Sequence, residues 1–461
     1  MLIYGKLTFA PLIHLLLNCC LAGEPPPEKL LAGMIQLIHK KGDPNDMGNY
    51  RPICLLPTVY KTMTRAVLRR IEQTLDETHD PIQAGFRREY STIDNIHSVK
   101  QIIEKRAEYN IPIHMAFVDF QKAFDSAEWN AVYNALGHQG VHPDIIRLIA
   151  SLYSASTNVV MVNGEKVPIN IRPGVHQGDA LSPKLFSAVL DAAIKNINFE
   201  ERGILISGQH LPMLMFADDV VLIGKDKNEL GSLIKDLEKQ AAKVGLSINH
   251  TKTFLMSNDT NDAILQCGST AYKYMATATY LGCSLYIQPT PEKEITRRIQ
   301  SAWRNFVCNT AILTDKRVPM RIKRKIFESC VTSAALYSCE TWALTKKARK
   351  KLAIVQRRME RKMLGITLLD RWTNVRLRDT TGLRDWCKEA LKRKIRWTEK
   401  IEMMADNRWA KATTEWIPYY GRRSRGAPRT RWRDELVQMR GNTFMRSTKE
   451  EWEEAFDQHV D

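Results

Sequence analysis

The chain has no uninterrupted apolar run of the ~18 residues that a helical membrane span requires. Its nearest approach, Met1 to Leu21, is broken by His14. That stretch lacks both a basic start and a small-residue cleavage site, which argues against secretion. Nine cysteines are scattered through the 461 residues, none spaced as zinc ligands, and adjacent Cys19-Cys20 suit neither a finger nor a knuckle. They read as reduced thiols of an intracellular protein with no membrane partner. Internal repeats and long low-complexity tracts are also missing, so neither a solenoid nor a tether is expected. Acidic residues are scarce in one place: from Ala343 to Arg433 there are 9 Asp/Glu against 27 Lys/Arg. The rest of the chain holds 42 against 41, so the net charge of +17 resides in that block. A polyanion partner, most simply nucleic acid, is one expectation, and solvated helix faces are the other.

Periodicity predicts strands over 34–38 and 114–120, and helices over 59–75, 94–109, 126–136, 183–196 and 228–244. Asn163-Gly164, between the apolar segments 158–162 and 167–171, is the best hairpin signal. Hairpins mixed with helices suggest an α+β fold whose antiparallel sheet is covered by helices on one face. After residue 290 the strand signals give way to a helical, basic region, and eight of the ten tryptophans lie from Trp342 onward. Individually these tryptophans read as filling small cores. Tyr420 to Arg429 reads as a flexible basic loop.

Within the apolar run Leu214 to Ile223, two adjacent acids stand in Phe216-Ala217-Asp218-Asp219. Two readings fit these four residues: a solvated turn, or a hairpin tip that meets a cation. Met115 to Asp119 supplies a third acid, at the C-terminal end of a buried-type strand. Asp119 beside Asp218 and Asp219 could bind two Mg²⁺ ions about 4 Å apart, as a polymerase does. Asp125 reads as a helix N-cap. Gly174 to Pro183 forms a glycine-flanked loop ahead of a helix, where backbone could approach a nucleotide and Gln177 could make a polar contact.

Further pieces join these in order: Lys40-Lys41-Gly42-Asp43, Asn49-Tyr50-Arg51-Pro52-Ile53, Gly85-Phe86-Arg87 with Ser91-Thr92, and Ala123-Phe124-Asp125 after Asp119. Gln177-Gly178-Asp179, Phe216 to Asp219, Gly245-Leu246 to Lys252-Thr253 and Tyr280-Leu281-Gly282 complete the set. The ordered set resembles the reverse transcriptase of non-LTR, LINE-type retrotransposons. The resemblance implies a right-hand polymerase, an RNA-directed DNA polymerase that extends a primer with dNTPs on an RNA template, with Mg²⁺ as cofactor. Its expected regions are 1–110 (fingers with an N-terminal helix), 111–260 (palm), 261–290 (primer-grip hairpin), 291–365 (helical thumb) and 366–461 (a basic, Trp-rich C-terminal region). By the same resemblance Asp119, Asp218 and Asp219 hold the metal, and Lys252 protonates pyrophosphate. Lys40, Lys41 and Arg51 face the triphosphate, and Gln177 and Gly178 lie against the nascent base pair. Phe124 excludes a 2′-hydroxyl, and Tyr280, Leu281 and Gly282 grip the primer. An RNA template, a DNA primer or target and dNTPs are the expected partners, and the nucleus and cytoplasm the expected location. The family usually carries an upstream endonuclease, which is not expected within this length. Two alternatives stay open: a remnant that binds RNA without polymerising, and an RNA-dependent RNA polymerase.

Overall fold

The strand His114–Val118 is buried at all five positions and apolar from Met115 onward, which suits a strand covered on both faces. Around it an antiparallel sheet assembles in the order Phe254–Ser257, His114–Val118, Asp219–Gly224, Met213–Phe216. Each large aliphatic side chain so removed from water contributes about 1.5–3 kcal/mol. The helix Lys227–Ala242 packs on the two middle strands. The helix Thr92–Glu108 packs against the edge strand Met213–Phe216. The computed structural model describes residues 5–40, 42–162, 164–169, 173–259, 264–288, 291–423, 425–426 and 429–460.

A second sheet runs in the order Tyr50–Leu55, Ala32–His39, Thr157–Val162, Glu165–Ile169. Its middle pair is parallel and the outer pairs antiparallel. The expected hairpin is present with Val162 opposite Glu165, although Asn163 itself lies outside the described residues. The expected helices form as Thr58–Thr78, Thr92–Glu108, Ser182–Ile194 and Lys227–Ala242. The segment expected to turn helical at 126 first makes a short turn, Ala123–Ser126, and the longer helix starts at Trp129 because Ala127 is extended. The helix Pro143–Ser154 and the small hairpin Ile204–Ile206 with Gln209–Leu211 were not anticipated.

From Pro291 onward the described residues are helical or irregular. Hydrophobic side chains form three clusters, one within 20–287 joined by Trp409 and Trp416, one within 295–390 and one within 391–456. Trp342, Trp386, Trp397, Trp409, Trp416, Trp432 and Trp452 are all buried, as the core-filling reading requires. Trp372 alone of the C-terminal eight is half-exposed, with the Arg376 guanidinium 3.9 Å from its ring centre. The stretch read as a flexible loop is partly pinned. Arg106 donates to the Tyr420 hydroxyl at 3.1 Å, Asn110 donates to the Arg422 carbonyl at 2.8 Å, and Arg423 pairs with Glu108 at 3.0 Å. Its residues 424, 427 and 428 lie outside the described residues.

Much of the basic block is likewise spent on internal partners. Arg408 pairs with Asp94 and lies over the Tyr90 ring, 3.3 Å from its centre. Lys400 reaches the Glu89 carbonyl at 2.7 Å. Lys394 pairs with Glu435 at 3.1 Å, and burial draws its pKa down to about 7. Lys347, Lys350, Arg358 and Lys362 remain exposed on the outer face of the helix Lys346–Leu364.

Candidate active site

Phe216 pairs with Asp219, so Ala217 and Asp218 form a two-residue turn at the tip of the hairpin. Ala217 has φ +56, a left-handed conformation that costs an L-residue about 1–2 kcal/mol. Packing from a distant part of the chain holds it there. The Gln83 side-chain oxygen accepts from Ala217 N at 3.1 Å and from Gly85 N at 2.7 Å. Gly85 presses so close that a Cβ on it would stand 2.2 Å from Ala217 N. Asn95 donates to the Met215 carbonyl at 2.9 Å and to the Tyr280 hydroxyl at 3.2 Å.

The neighbouring strand brings in the third acid. Val118 pairs with Val220, and one more residue of the same antiparallel register sets Asp119 across from Asp219. Asn249 N donates to the Asp119 carbonyl at 2.7 Å and fixes its backbone. The Asp119 Oδ2 atom is buried without a hydrogen-bond partner among the described residues, and the Lys252 ammonium stands 3.6 Å from it. Desolvation in the cleft, joined by the charges of Asp218 and Asp119, pushes the Asp219 carboxyl up to about 6. Asp218 is raised by desolvation and by Asp119, while Arg51 and Lys40 oppose the rise.

An orphaned carboxylate oxygen and acids that repel one another are the donor chemistry of a divalent-cation site. The set is open rather than closed: among the described residues no three acid, His or Cys side chains are close enough to hold one ion.

The basic residues converge on the same cleft. Ile38 pairs with Arg51, and Lys40 N donates to the Asn49 carbonyl at 2.8 Å, so Lys40 and Arg51 share one end of the second sheet, both exposed. Burial lowers the Lys40 pKa first, then the charges of Arg51 and Lys252, while Asp125 and Asp119 raise it. Lys41 lies outside the described residues.

Gln177 and Gly178 lie against the strand that carries Arg51. Cys54 N donates to the Gln177 carbonyl at 2.7 Å. Gly178 has φ +122, and a Cβ there would stand 2.6 Å from the Cys54 carbonyl oxygen, so glycine is required. The Gln177 side chain donates to Asp125 at 2.8 Å. The N-cap reading of Asp125 is thereby corrected: it lies inside the turn Ala123–Ser126 and holds Gln177. Phe124 is half-buried, its ring stacked on Phe186 with centres 4.7 Å apart.

Tyr280 is buried, so its side chain supports from within the hairpin Thr277–Tyr280 with Cys283–Tyr286. Leu281 and Gly282 form that hairpin's tip, with φ +47 and +71. The Leu281 carbonyl accepts from the Tyr337 hydroxyl at 2.7 Å, and the Gly282 carbonyl accepts from Arg297 at 2.8 Å. Sequence reasoning assigned no role to Gln83, Gly85 or Asn95. One signal was available for Asn95, a polar residue preceding the buried Ile96, Val99, Ile102 and Ile103 of one helix.

Residues 38–285, just over half of the chain, match the family described as reverse transcriptase (RNA-dependent DNA polymerase). A transposon-derived protein of Caenorhabditis elegans is 31% identical over 244 residues, covering 50% of this chain and 86% of that protein. The Pol polyprotein of the type-1 retrotransposable element R2 from Popillia japonica is 30% identical over 224 residues, 48% of this chain and 31% of the polyprotein. The RNA-directed DNA polymerase from the mobile element jockey of Drosophila melanogaster is 26% identical over 359 residues, 74% of this chain. The chain spans 38% of that last protein and so, like the R2 match, covers only about a third of the relative's length.

Proposed function

This chain belongs to the reverse transcriptase family of non-LTR retrotransposons, and from that premise we propose that it extends a primer 3′-hydroxyl with deoxynucleotides on an RNA template. The fold is α+β, of the right-hand polymerase type, with a helical C-terminal region. One observation carries the functional reading: three strand-end carboxylates, Asp119, Asp218 and Asp219, share a cleft with Lys40, Arg51 and Lys252.

In this reading Asp119, Asp218 and Asp219 hold Mg²⁺, which would supply Lewis-acid activation of the primer hydroxyl and charge neutralisation at the leaving pyrophosphate. The raised pKa values of Asp218 and Asp219 are consistent with acids built to share a cation. Arg51 and Lys40 bind the triphosphate oxygens from the other sheet and align the α-phosphate for in-line attack. Lys252 sits beside Asp119, where it can donate a proton to pyrophosphate. Gln177, oriented by Asp125, and the glycine backbone at 178 lie against the nascent base pair. Phe124, braced by Phe186, closes the sugar side against a 2′-hydroxyl. Leu281 and Gly282 meet the primer, with Tyr280 behind them. The exposed cations of the helix Lys346–Leu364 follow nucleic-acid phosphates.

Primer extension on an RNA template tests the reading. Magnesium-dependent incorporation of dNTPs by the wild type should fall about a thousandfold in Asp218→Asn. Salt-sensitive RNA binding with no extension by the wild type would instead identify an inactive remnant.

A further inference from the structure

Phe86 is an exposed aromatic residue held in a strained backbone at the edge of the cleft. Its φ is +57, a region that bulky residues rarely enter. Such strain persists only where the surroundings over-determine it. Here they do so on both sides. Gly85 is clamped to the catalytic turn through Gln83 and Ala217. On the other side Arg87 donates to the carbonyls of Asp80 at 2.9 Å, Gln83 at 3.1 Å and Asp76 at 3.0 Å.

Burial does not account for the arrangement, because the Phe86 residue stays 41% exposed. What the backbone achieves is direction. The Phe86 ring meets the Phe124 ring at 87°, with centres 6.2 Å apart, and Phe124 in turn stacks on buried Phe186. Three aromatic rings thus run outward from the core, and the outermost follows Gly85, whose backbone presses on the turn bearing Asp218. That position is lined by apolar ring surface and offers a ligand hydroxyl no ring acceptor or donor. A deoxyribose could pack there through its C2′ methylene, whereas a 2′-hydroxyl would be desolvated without a hydrogen bond.

We propose that Phe86 is a second wall of the sugar pocket, contacting the deoxyribose of the incoming nucleotide and determining sugar specificity together with Phe124. The inference rests on the polymerase reading above. Single-nucleotide incorporation with dNTP and rNTP, on one primer–template pair, compares full-length wild type with Phe86→Gly, Phe86→Leu and, as reference, Phe124→Val.

Glycine accepts φ +57 without strain, so Phe86→Gly should keep or raise the melting temperature. The same variant should raise KM for dNTP about tenfold and narrow the dNTP/rNTP ratio of kcat/KM about tenfold. Phe86→Leu should recover part of both. The inference is overturned if Phe86→Gly keeps wild-type KM and sugar ratio while Phe124→Val loses discrimination; the polymerase reading then stands. A lowered melting temperature, with an equal loss for both sugars, would make Phe86 structural and also overturn it. Failure of the wild type to extend any primer overturns both.

Discussion

His176, in the loop that carries Gln177, is buried, its ring stacked on Tyr153 with centres 4.7 Å apart and planes at 6°. Its Nε2 meets the Ser156 hydroxyl at 3.3 Å, while Nδ1 has no partner among the described residues. Burial therefore lowers its pKa from 6.5 to about 4. The sign follows from linkage: below pH 6.5 the unfolded chain takes up a proton that the folded chain refuses until about pH 4. This contribution to stability is fully present above pH 6.5 and is lost as the pH falls toward 4, by about 3 kcal/mol in total. Denaturant titrations at pH 7, 5.5 and 4 should show the gap between wild type and His176→Gln closing by that amount. Parallel curves would assign the acid sensitivity to other groups.

The hairpin at Asp218 shows what an element can and cannot reveal of itself. Its strands were legible because apolar residues run up to both acids, and Asp119 because it ends an apolar strand. Its supports were not legible, since Gln83 reaches Ala217 across 134 positions and Asn95 reaches Met215 across 120. Local periodicity carries no trace of such pairings. Asp125 was misread for the same reason: its partner, Gln177, is 52 residues away. The tightest of these contacts gives a prediction. In Gly85→Ala the new methyl meets the Ala217 backbone first, which cannot swing aside as a side chain would. Stability should drop about 1–3 kcal/mol, and primer extension should fall further than stability explains because the turn is displaced. Thermal melting alongside extension at a temperature where the variant is folded checks this; wild-type activity would show that the turn tolerates the shift.

Taken whole, the molecule uses its C-terminal charge differently from what composition alone suggests. The net charge was legible, but its internal spending was not, because Asp94, Glu108 and the carbonyls near residue 89 become partners only when the chain folds back. Arg408 with Asp94 is the most buried of these pairs, and Asp94 also caps the helix whose next residue, Asn95, supports the hairpin bearing Asp218. Arg408→Met leaves the Asp94 carboxylate without its guanidinium partner and should cost about 3–5 kcal/mol. A double-mutant cycle with Asp94→Asn should recover part of that loss, and additive effects would show that the pair is not coupled. The clasp also bears on synthesis. Its two halves are 314 residues apart, so at ~5–20 residues per second Asp94 leaves the ribosome roughly 15–60 s before Arg408. During that interval the N-terminal half of the nascent chain exists without its clasp, which leaves a time window for chaperone capture or for misfolding.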